Sequence, residues 1–213
     1  MRKAEYLAAA MLAAALTCGS GAGAANIVSN PGFEADDASG GAVTPPTDWT
    51  VSGTAGVEQG FSDTGNNAAY IANGTLSQDL TTVAGDSYQV SFWVGIANGA
   101  LLTDPNATLS ASFGGQDMLG GAMTAGPPLT LGEFVQCPNP ANACYAETTD
   151  IFTATSATTT LAFTGVVSDA DELWYVDDVS VTPQAVTAVP EPATLALLGV
   201  GLLGIGVIRR RTD

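Results

Sequence analysis

The 213-residue chain contains no histidine and only five basic residues, against 21 aspartates and glutamates, so its formal net charge is −16. All the basic residues lie at the two ends of the chain: Arg2, Lys3, Arg209, Arg210 and Arg211. Residues 26–189 therefore have no positively charged side chain, yet they hold 18 of the 21 carboxylates. Within this stretch no carboxylate can form an internal ion pair, so any cation that stabilises it must come from solution.

These absences exclude several classes of function for the middle of the chain. Without Lys or Arg it has no footprint for nucleic acid or for phosphate groups. Without histidine it cannot build a Ser-His-Asp or Cys-His catalytic apparatus, or a histidine-ligated metal site. A Schiff-base lysine is excluded as well. What remains is carboxylate and hydroxyl chemistry, aromatic stacking and the binding of hard cations.

The first 25 residues have the three parts of a secretory signal peptide. Arg2 and Lys3 form a charged start, residues 7–16 are apolar, and Ala22-Gly23-Ala24 fits the A-x-A cleavage pattern. The apolar run is too short for a membrane-spanning helix. We therefore expect residues 1–25 to direct export across the inner membrane and then to be removed.

The last 26 residues, 188–213, have a different pattern. Pro190-Glu191-Pro192 precedes an uncharged stretch at 193–208, and three arginines, 209–211, follow it. Sixteen residues in a helix span about 24 Å, slightly less than a hydrocarbon core of about 30 Å, and flanking arginines can make up the difference. The sequence predicts a single transmembrane helix at about 193–208, with its arginines in the cytoplasm.

This C-terminal pattern resembles the PEP-CTERM sorting signal of Gram-negative bacteria. The residues that carry the resemblance are Pro190, Glu191, Pro192, Arg209, Arg210 and Arg211. The resemblance implies that an exosortase and the secretion machinery are partners, and that the chain is cleaved near Pro-Glu-Pro. It also implies transient anchorage in the membrane, followed by delivery to the cell surface or to an extracellular polysaccharide matrix. The alternative is a plain C-terminal anchor, which would change the location very little.

Residues 26–187 have the pattern of an all-β domain. Short runs of alternating polarity are separated by clusters of Gly, Asn, Asp and Pro. The clearest strand, at 87–96, has one apolar face and places Gln89, Ser91 and Trp93 on the other face. Further strands are predicted at 26–29, 49–52, 57–59, 68–72, 76–80, 107–113, 150–154, 159–167 and 174–182. About ten short strands with one apolar face each predict a β-sandwich.

The domain retains two cysteines, Cys137 and Cys144, once the signal peptide is removed. They lie close together at the end of a long Gly/Pro-rich connection, residues 114–142. Cysteines this close in an exported protein are typical of a disulfide. A metal site at this pair is not expected, because no histidine or further cysteine can complete it.

Two motifs at opposite ends of the domain resemble those of galactose-binding-domain-like jelly rolls, which many carbohydrate-binding modules use. They are Asn30-Pro31-Gly32-Phe33-Glu34 and the segment 174–181, which contains Asp177-Asp178-Val179. The resemblance implies a jelly-roll β-sandwich whose first and last strands pair. It also implies a structural Ca²⁺ near the termini, bound by Glu34 and by one or both of Asp177 and Asp178.

The residues themselves leave the calcium question open. Ca²⁺ prefers oxygen ligands, which this acidic domain supplies. Asp177 alternates in phase with Val179 and Val181, so we expect it to face the core, where a carboxylate without a partner is costly. One interpretation is therefore a metal site. The other is that loop N–H groups hold Asp177 and that the remaining carboxylates form a solvated acidic face.

Trp93, Gln89 and Ser91 are the candidate ligand-binding residues. A sugar offers apolar C–H faces rimmed by hydroxyl groups, and a flat aromatic ring beside amide and hydroxyl groups suits it. The alternative is that Trp93 packs under a loop or in a second layer.

The function predicted from these residues is non-catalytic binding of carbohydrate, such as an exopolysaccharide, outside the cell. The alternative is a purely structural, acidic matrix protein without a defined sugar site. A glycoside-acting enzyme is the least favoured interpretation. Glycosidases need two carboxyl groups within about 5–9.5 Å, but among 18 carboxylates some pair meets that distance by chance. No particular acid is marked by the sequence.

Overall fold

The computed structural model describes residues 24–97, 106–125, 136–139, 143–168 and 173–184, and these residues form an all-β structure. The predicted transmembrane helix and almost all of the predicted signal peptide lie outside them. Within these ranges, no helix is long and apolar enough to cross a membrane. The strands are β1 (Thr50–Gln59), β2 (Asn67–Thr81), β3 (Ser87–Ala97), β4 (Ala107–Phe113), β5 (Gln116–Asp117), β6 (Met123–Ala125), β7 (Gln136–Asn139), β8 (Ala143–Thr153), β9 (Thr158–Val166) and β10 (Trp174–Pro183).

The strand β2 is long enough to belong to two sheets. Its first part pairs with β10, through Ala69 to Ile71, and its second part pairs with β9, from Gly74 to Thr81. The first sheet, called the β3 sheet below, continues in the order β2-β10-β3-β8-β7. The second, the β9 sheet, continues as β2-β9-β4, with β5 and β6 on β4. All these pairs are antiparallel, and the result is the predicted jelly-roll-like sandwich.

The core lies between the two sheets, where alternate residues of each strand point. The predicted alternation in β3 is confirmed, because the side chains of Tyr88, Val90, Phe92, Val94 and Ile96 are all buried. From the opposite sheet, Phe163 of β9 meets Phe92 edge to face, with ring centroids 5.0 Å apart. Contacts of this kind join the two sheets, because the hydrophobic effect favours packing their apolar faces against each other.

The predicted phase of β10 is wrong at Asp177. Trp174 and Val176 face the core, but the register shifts between Asp177 and Ser180, and Asp178 adopts a positive φ of 48°. This bulge adds one residue before the apolar alternation resumes at Val179. Asp177 therefore shares a face with Tyr175, on the outer side of the β3 sheet. It is buried there, at 0% exposure, by a loop and not by the core.

The N-terminal segment lies alongside β10. The N–H of Ile27 donates to the carbonyl of Val181, and the N–H of Val179 donates to the carbonyl of Pro31, both at 2.9 Å. The side chain of Asn26 also bonds to the backbone of Val179 and Val181. The two ends of the domain therefore pair, as the jelly-roll resemblance implied, although residues 26–29 are hydrogen-bonded without forming a named strand.

Cys144 lies in β8 and is disulfide-bonded. Its predicted partner, Cys137, lies in the neighbouring strand β7, whose pairing with β8 sets Gln136 opposite Tyr145. The pairing of these two cysteines with each other stays a prediction.

A substitution at Leu76 tests the contribution of β2 to the core, because Leu76 is fully buried in the part of the strand that pairs with β9. Leu76→Ala leaves a cavity and should lower the free energy of unfolding by about 2–5 kcal/mol. Val83→Ala is the control, since Val83 is 57% exposed, and it should change stability by less than about 0.5 kcal/mol. Urea unfolding measures both variants. Equal effects would contradict this assignment of the core.

Candidate functional site

The outer surface of the β3 sheet carries the residues predicted to bind sugar. The strand β3 lies between β8 and β10, and directly opposed residues of antiparallel strands point to the same side. We call the resulting surface the Trp93 face. Its three rows are Glu147-Trp93-Asp177, Thr149-Ser91-Ser180 and Ile151-Gln89-Thr182.

Gln89 and Ser91 extend the Trp93 face as a polar strip. Gln89 is exposed, and its amide donates to the hydroxyl of Thr149 at 3.4 Å and accepts from the amide of Gln184 at 3.2 Å. Ser91 is half-buried, and Thr149 beside it is exposed. The predicted trio therefore does lie on one surface.

One end of this surface is a tyrosine cluster formed by the buried residues Ala68, Ala143, Tyr145 and Tyr175. The ring of Tyr145 lies over Gly95, where an added Cβ would come within 2.5 Å of the ring. Trp93 packs against the margin of this cluster and is itself half-buried. Part of the alternative interpretation is thus correct: Trp93 belongs to a second layer outside the core, while part of it stays exposed.

A loop at residues 60–66, called the covering loop below, closes the tyrosine cluster. Phe61 stacks on Tyr175 with ring centroids 4.9 Å apart and an interplanar angle of 6°. The hydroxyl of Tyr145 donates to the carbonyl of Phe61, and that of Tyr175 donates to Glu58. Burial raises the pKa of both tyrosines, which keeps them as neutral hydrogen-bond donors. The cluster is thus a small satellite core, and Trp93 lies at its solvent-exposed edge.

Asp177 holds the covering loop through its carboxylate. Its Oδ2 accepts the backbone N–H groups of Asp63 and Thr64 at 2.8 and 3.3 Å, and its Oδ1 accepts that of Asp178 at 2.8 Å. Asp178 adds a bond from the hydroxyl of Thr64, at 2.7 Å. The loop N–H contacts named in one of the two interpretations of Asp177 are therefore present, and the metal site of the other interpretation stays a prediction.

Glu34 holds the other end of the same loop. Its Oε1 accepts the N–H groups of Asn66 and Asn67 at 2.7 and 2.8 Å. Gly65 has a φ of +68°, and a Cβ there would lie 2.3 Å from that oxygen, so glycine is required for this close approach. The structure thus brings the three predicted metal ligands to one loop.

Calcium binding by these three carboxylates stays a prediction. Within the described ranges, no group of three or more His, Cys, Asp or Glu side chains is placed to hold a metal ion. Glu34 Oε1, both oxygens of Asp177 and Asp178 Oδ2 already accept N–H or O–H donors. A carboxylate oxygen can accept a hydrogen bond and bind a metal ion at the same time, so these contacts do not exclude calcium.

Asp63 is the residue of this site that the sequence did not reveal. It is 6% exposed, and its Oδ1 has no hydrogen-bond partner in the protein. Burial raises its pKa, and the charges of Asp178 and Glu147 raise it further. Burial, together with the charge of Asp178, raises the pKa of Asp177 to about 8, although three N–H groups favour its charged form. In the sequence, the turn-forming residues at 62–66 indicate a loop, but they do not indicate which surface the loop covers.

The raised pKa of Asp177 predicts that stability falls as pH rises. The folded state keeps this proton up to about pH 8, whereas the unfolded chain loses it near 3.8, so the folded state binds more protons between these values. The free energy of unfolding should therefore decrease from pH 5 to pH 8, and Asp177→Asn should flatten this slope. Urea unfolding at several pH values measures it. The control is Asp86→Asn at an exposed position, and an equal flattening by this control would contradict the assignment.

Three comparisons with known proteins bear on the chain. The family model for the PEP-CTERM protein-sorting motif matches residues 188–211. No curated protein matches the sequence. Among solved structures, the chain is similar to TmCBM61 in complex with beta-1,4-galactotriose, with 16% identity and a TM-score of 0.43. That match covers 75% of this chain and 99% of the module.

Two further solved structures are similar to the same extent. The CBM22-1 xylan-binding domain of Xyn10C from Paenibacillus barcinonensis is 13% identical, with a TM-score of 0.46, and the match covers 76% of this chain and 96% of that domain. The Stig cyclase Fisc from Fischerella sp. TAU is 16% identical, with a TM-score of 0.47, covering 76% and 98%. The neighbours thus include both binding modules and an enzyme.

The match to the sorting motif bears directly on where the chain is delivered. It implies that an exosortase processes the chain and that the C-terminal segment anchors it transiently in a membrane. The chain carries a PEP-CTERM protein-sorting motif at residues 188–211 and is an exported, cell-surface or extracellular protein.

Proposed function

We propose that this exported domain binds carbohydrate, without catalysis, on the Trp93 face, and that its ligand is an extracellular polysaccharide of the Gram-negative cell that produces it. The observation that supports the proposal is the position of Trp93. A half-buried indole lies at the end of a strip of amide and hydroxyl groups, on Gln89, Ser91 and Thr149. An aromatic ring beside aligned polar groups is the combination that a sugar ring needs.

The rigidity of the site supports the same proposal. Trp93 is packed against the tyrosine cluster, and β3 is hydrogen-bonded along both edges. A ring that is already held in place loses little conformational entropy when it binds a ligand. Weak contacts to a repeating polymer can then add up, because several copies of the protein engage one chain of the polymer.

The absence of cations supports the non-catalytic part of the proposal. Residues 26–189 have no Lys, Arg or His to steer a substrate or to stabilise a charged transition state. The second candidate is a structural, acidic matrix protein without a sugar site. It is favoured by the same charge, since 18 carboxylates in this stretch keep the domain soluble and attract cations from solution.

Trp93→Ala should weaken retention of the purified full-length chain on its glycan by at least about tenfold, because the stacking surface is lost. A glycan array followed by calorimetry on the best ligand measures this. Trp93→Phe should retain most of the binding. Since Trp93 also packs against the tyrosine cluster, Gln89→Ala serves as a second variant at an exposed position, and it should weaken binding by up to about tenfold without changing the melting temperature.

Two outcomes of this experiment would contradict the proposal. One is the absence of retention on every glycan tested, which would favour the structural matrix protein. The other is retention that Trp93→Ala and Gln89→Ala leave unchanged. Turnover of a polysaccharide by the purified chain would contradict the non-catalytic part alone.

Structural calcium at Glu34, Asp177 and Asp178 is a separate proposal. Because these carboxylates are brought together only in the folded state, millimolar Ca²⁺ should bind the folded state alone and raise the melting temperature. We expect Asp178→Asn to reduce this rise and the exposed Asp86→Asn to leave it unchanged. A melting temperature indifferent to both Ca²⁺ and EDTA would contradict the proposal and leave the N–H and O–H groups as the partners of these carboxylates.

A further inference from the structure

We propose that the polysaccharide recognised at the Trp93 face is an amino-sugar polymer with protonated amines. It would be neither a neutral polymer nor a polyuronate. This inference rests on the proposed function, because it names the ligand class of the same face. The observation behind it is that Glu147 is directly opposed to Trp93 in the β3–β8 ladder.

Glu147 is the exposed carboxylate opposed to Trp93, whereas Asp177, opposed to Trp93 on the other side, is buried. Glu147 and Trp93 are directly opposed in the β3–β8 ladder, and Glu147 is exposed. Opposed residues of antiparallel strands have Cβ atoms about 4.5–5.5 Å apart. A sugar ring that stacks on Trp93 therefore places its substituents within reach of the Glu147 carboxylate. An ammonium group there gains a charge-assisted hydrogen bond from Glu147 and a cation–π contact with the indole.

The surroundings of Glu147 are also negative. The charges of Glu147 and Asp178 both raise the pKa of Asp63, so these carboxylates act on the same region beside the covering loop. On the other side of the tyrosine cluster, Glu58 accepts the hydroxyl of Tyr175. No positive side chain within residues 26–189 offsets this field. The Trp93 face is therefore an aromatic surface bordered by negative charge alone.

Charge complementarity then separates the three classes of polymer. A polyuronate would bring carboxylates next to Glu147, and like charges brought together at an interface cost binding energy and suppress the wrong partner. A neutral polymer can stack on Trp93 but gains nothing from Glu147. A polymer with amines gains from both, and the negative field of the domain also speeds its association.

The test compares two polymers that differ only in the acetylation of their amines, and therefore in charge. Fully N-acetylated and fully deacetylated glucosamine oligomers of equal length, and a polyuronate, are titrated into the full-length chain by calorimetry at a pH where the amines are protonated. The deacetylated oligomer should bind at least about tenfold more tightly than the acetylated one, and added salt should reduce this advantage. The polyuronate should not bind.

Glu147→Gln should remove most of the tenfold advantage and leave binding of the acetylated oligomer unchanged. The matched control is Asp150→Asn. It removes one negative charge from the same strand, also at an exposed position, but outside the Trp93 face because Asp150 is opposed to the core residue Val90. This control should keep the advantage, which separates the local effect of Glu147 from attraction by the net charge of the chain.

The failures of the two proposals are distinguishable. Equal affinity for the two oligomers, or equal losses in Glu147→Gln and Asp150→Asn, would overturn the amino-sugar inference and leave sugar binding in place. Binding of the polyuronate, with or without Ca²⁺, would also overturn it. No binding to any glycan, or glycan binding that Trp93→Ala does not weaken, would overturn the proposed function itself.

Discussion

The outer surface of this domain depends on how one buried carboxylate is satisfied. Residues 26–189 have no positive side chain, so no ion pair within the domain can compensate the burial of Asp177. Backbone N–H groups of Asp63, Thr64 and Asp178 do so. Because two of these groups belong to residues 60–66, the cost of burying this polar group is linked to the position of the covering loop.

The position of the loop in turn determines the candidate binding surface. With the loop in place, Phe61 covers Tyr175, and Tyr145 finds its hydroxyl partner in the backbone of Phe61. These contacts turn what would be a broad aromatic surface into a satellite core, with Trp93 at its margin. A narrow site remains, composed of one indole, a polar strip and the carboxylate of Glu147. The sandwich beneath it supplies rigidity, and its two sheets are joined by contacts such as that between Phe92 and Phe163.

The sequence predicted the fold class well because the signals are local and periodic. The alternation in β3 placed Val90 and Phe92 inside and Trp93 outside, and both ends of the domain were matched by their motifs. The predicted phase of Asp177 was wrong because a bulge at Asp178 interrupts the two-residue alternation of the strand. No sequence pattern indicates an extra residue there. Asp63 was missed for another reason: its burial results from a contact between the covering loop and β10, which are distant in the sequence.

Glu34 and Asp177 hold the covering loop through backbone N–H groups. Amide hydrogen exchange in the presence of EDTA tests this arrangement most directly, because it reports on these N–H groups one at a time. The amides of Asp63, Asn66 and Asn67 should exchange slowly without any metal ion. Exchange at the rate of an open loop, with slow exchange only after Ca²⁺ is added, would contradict this arrangement.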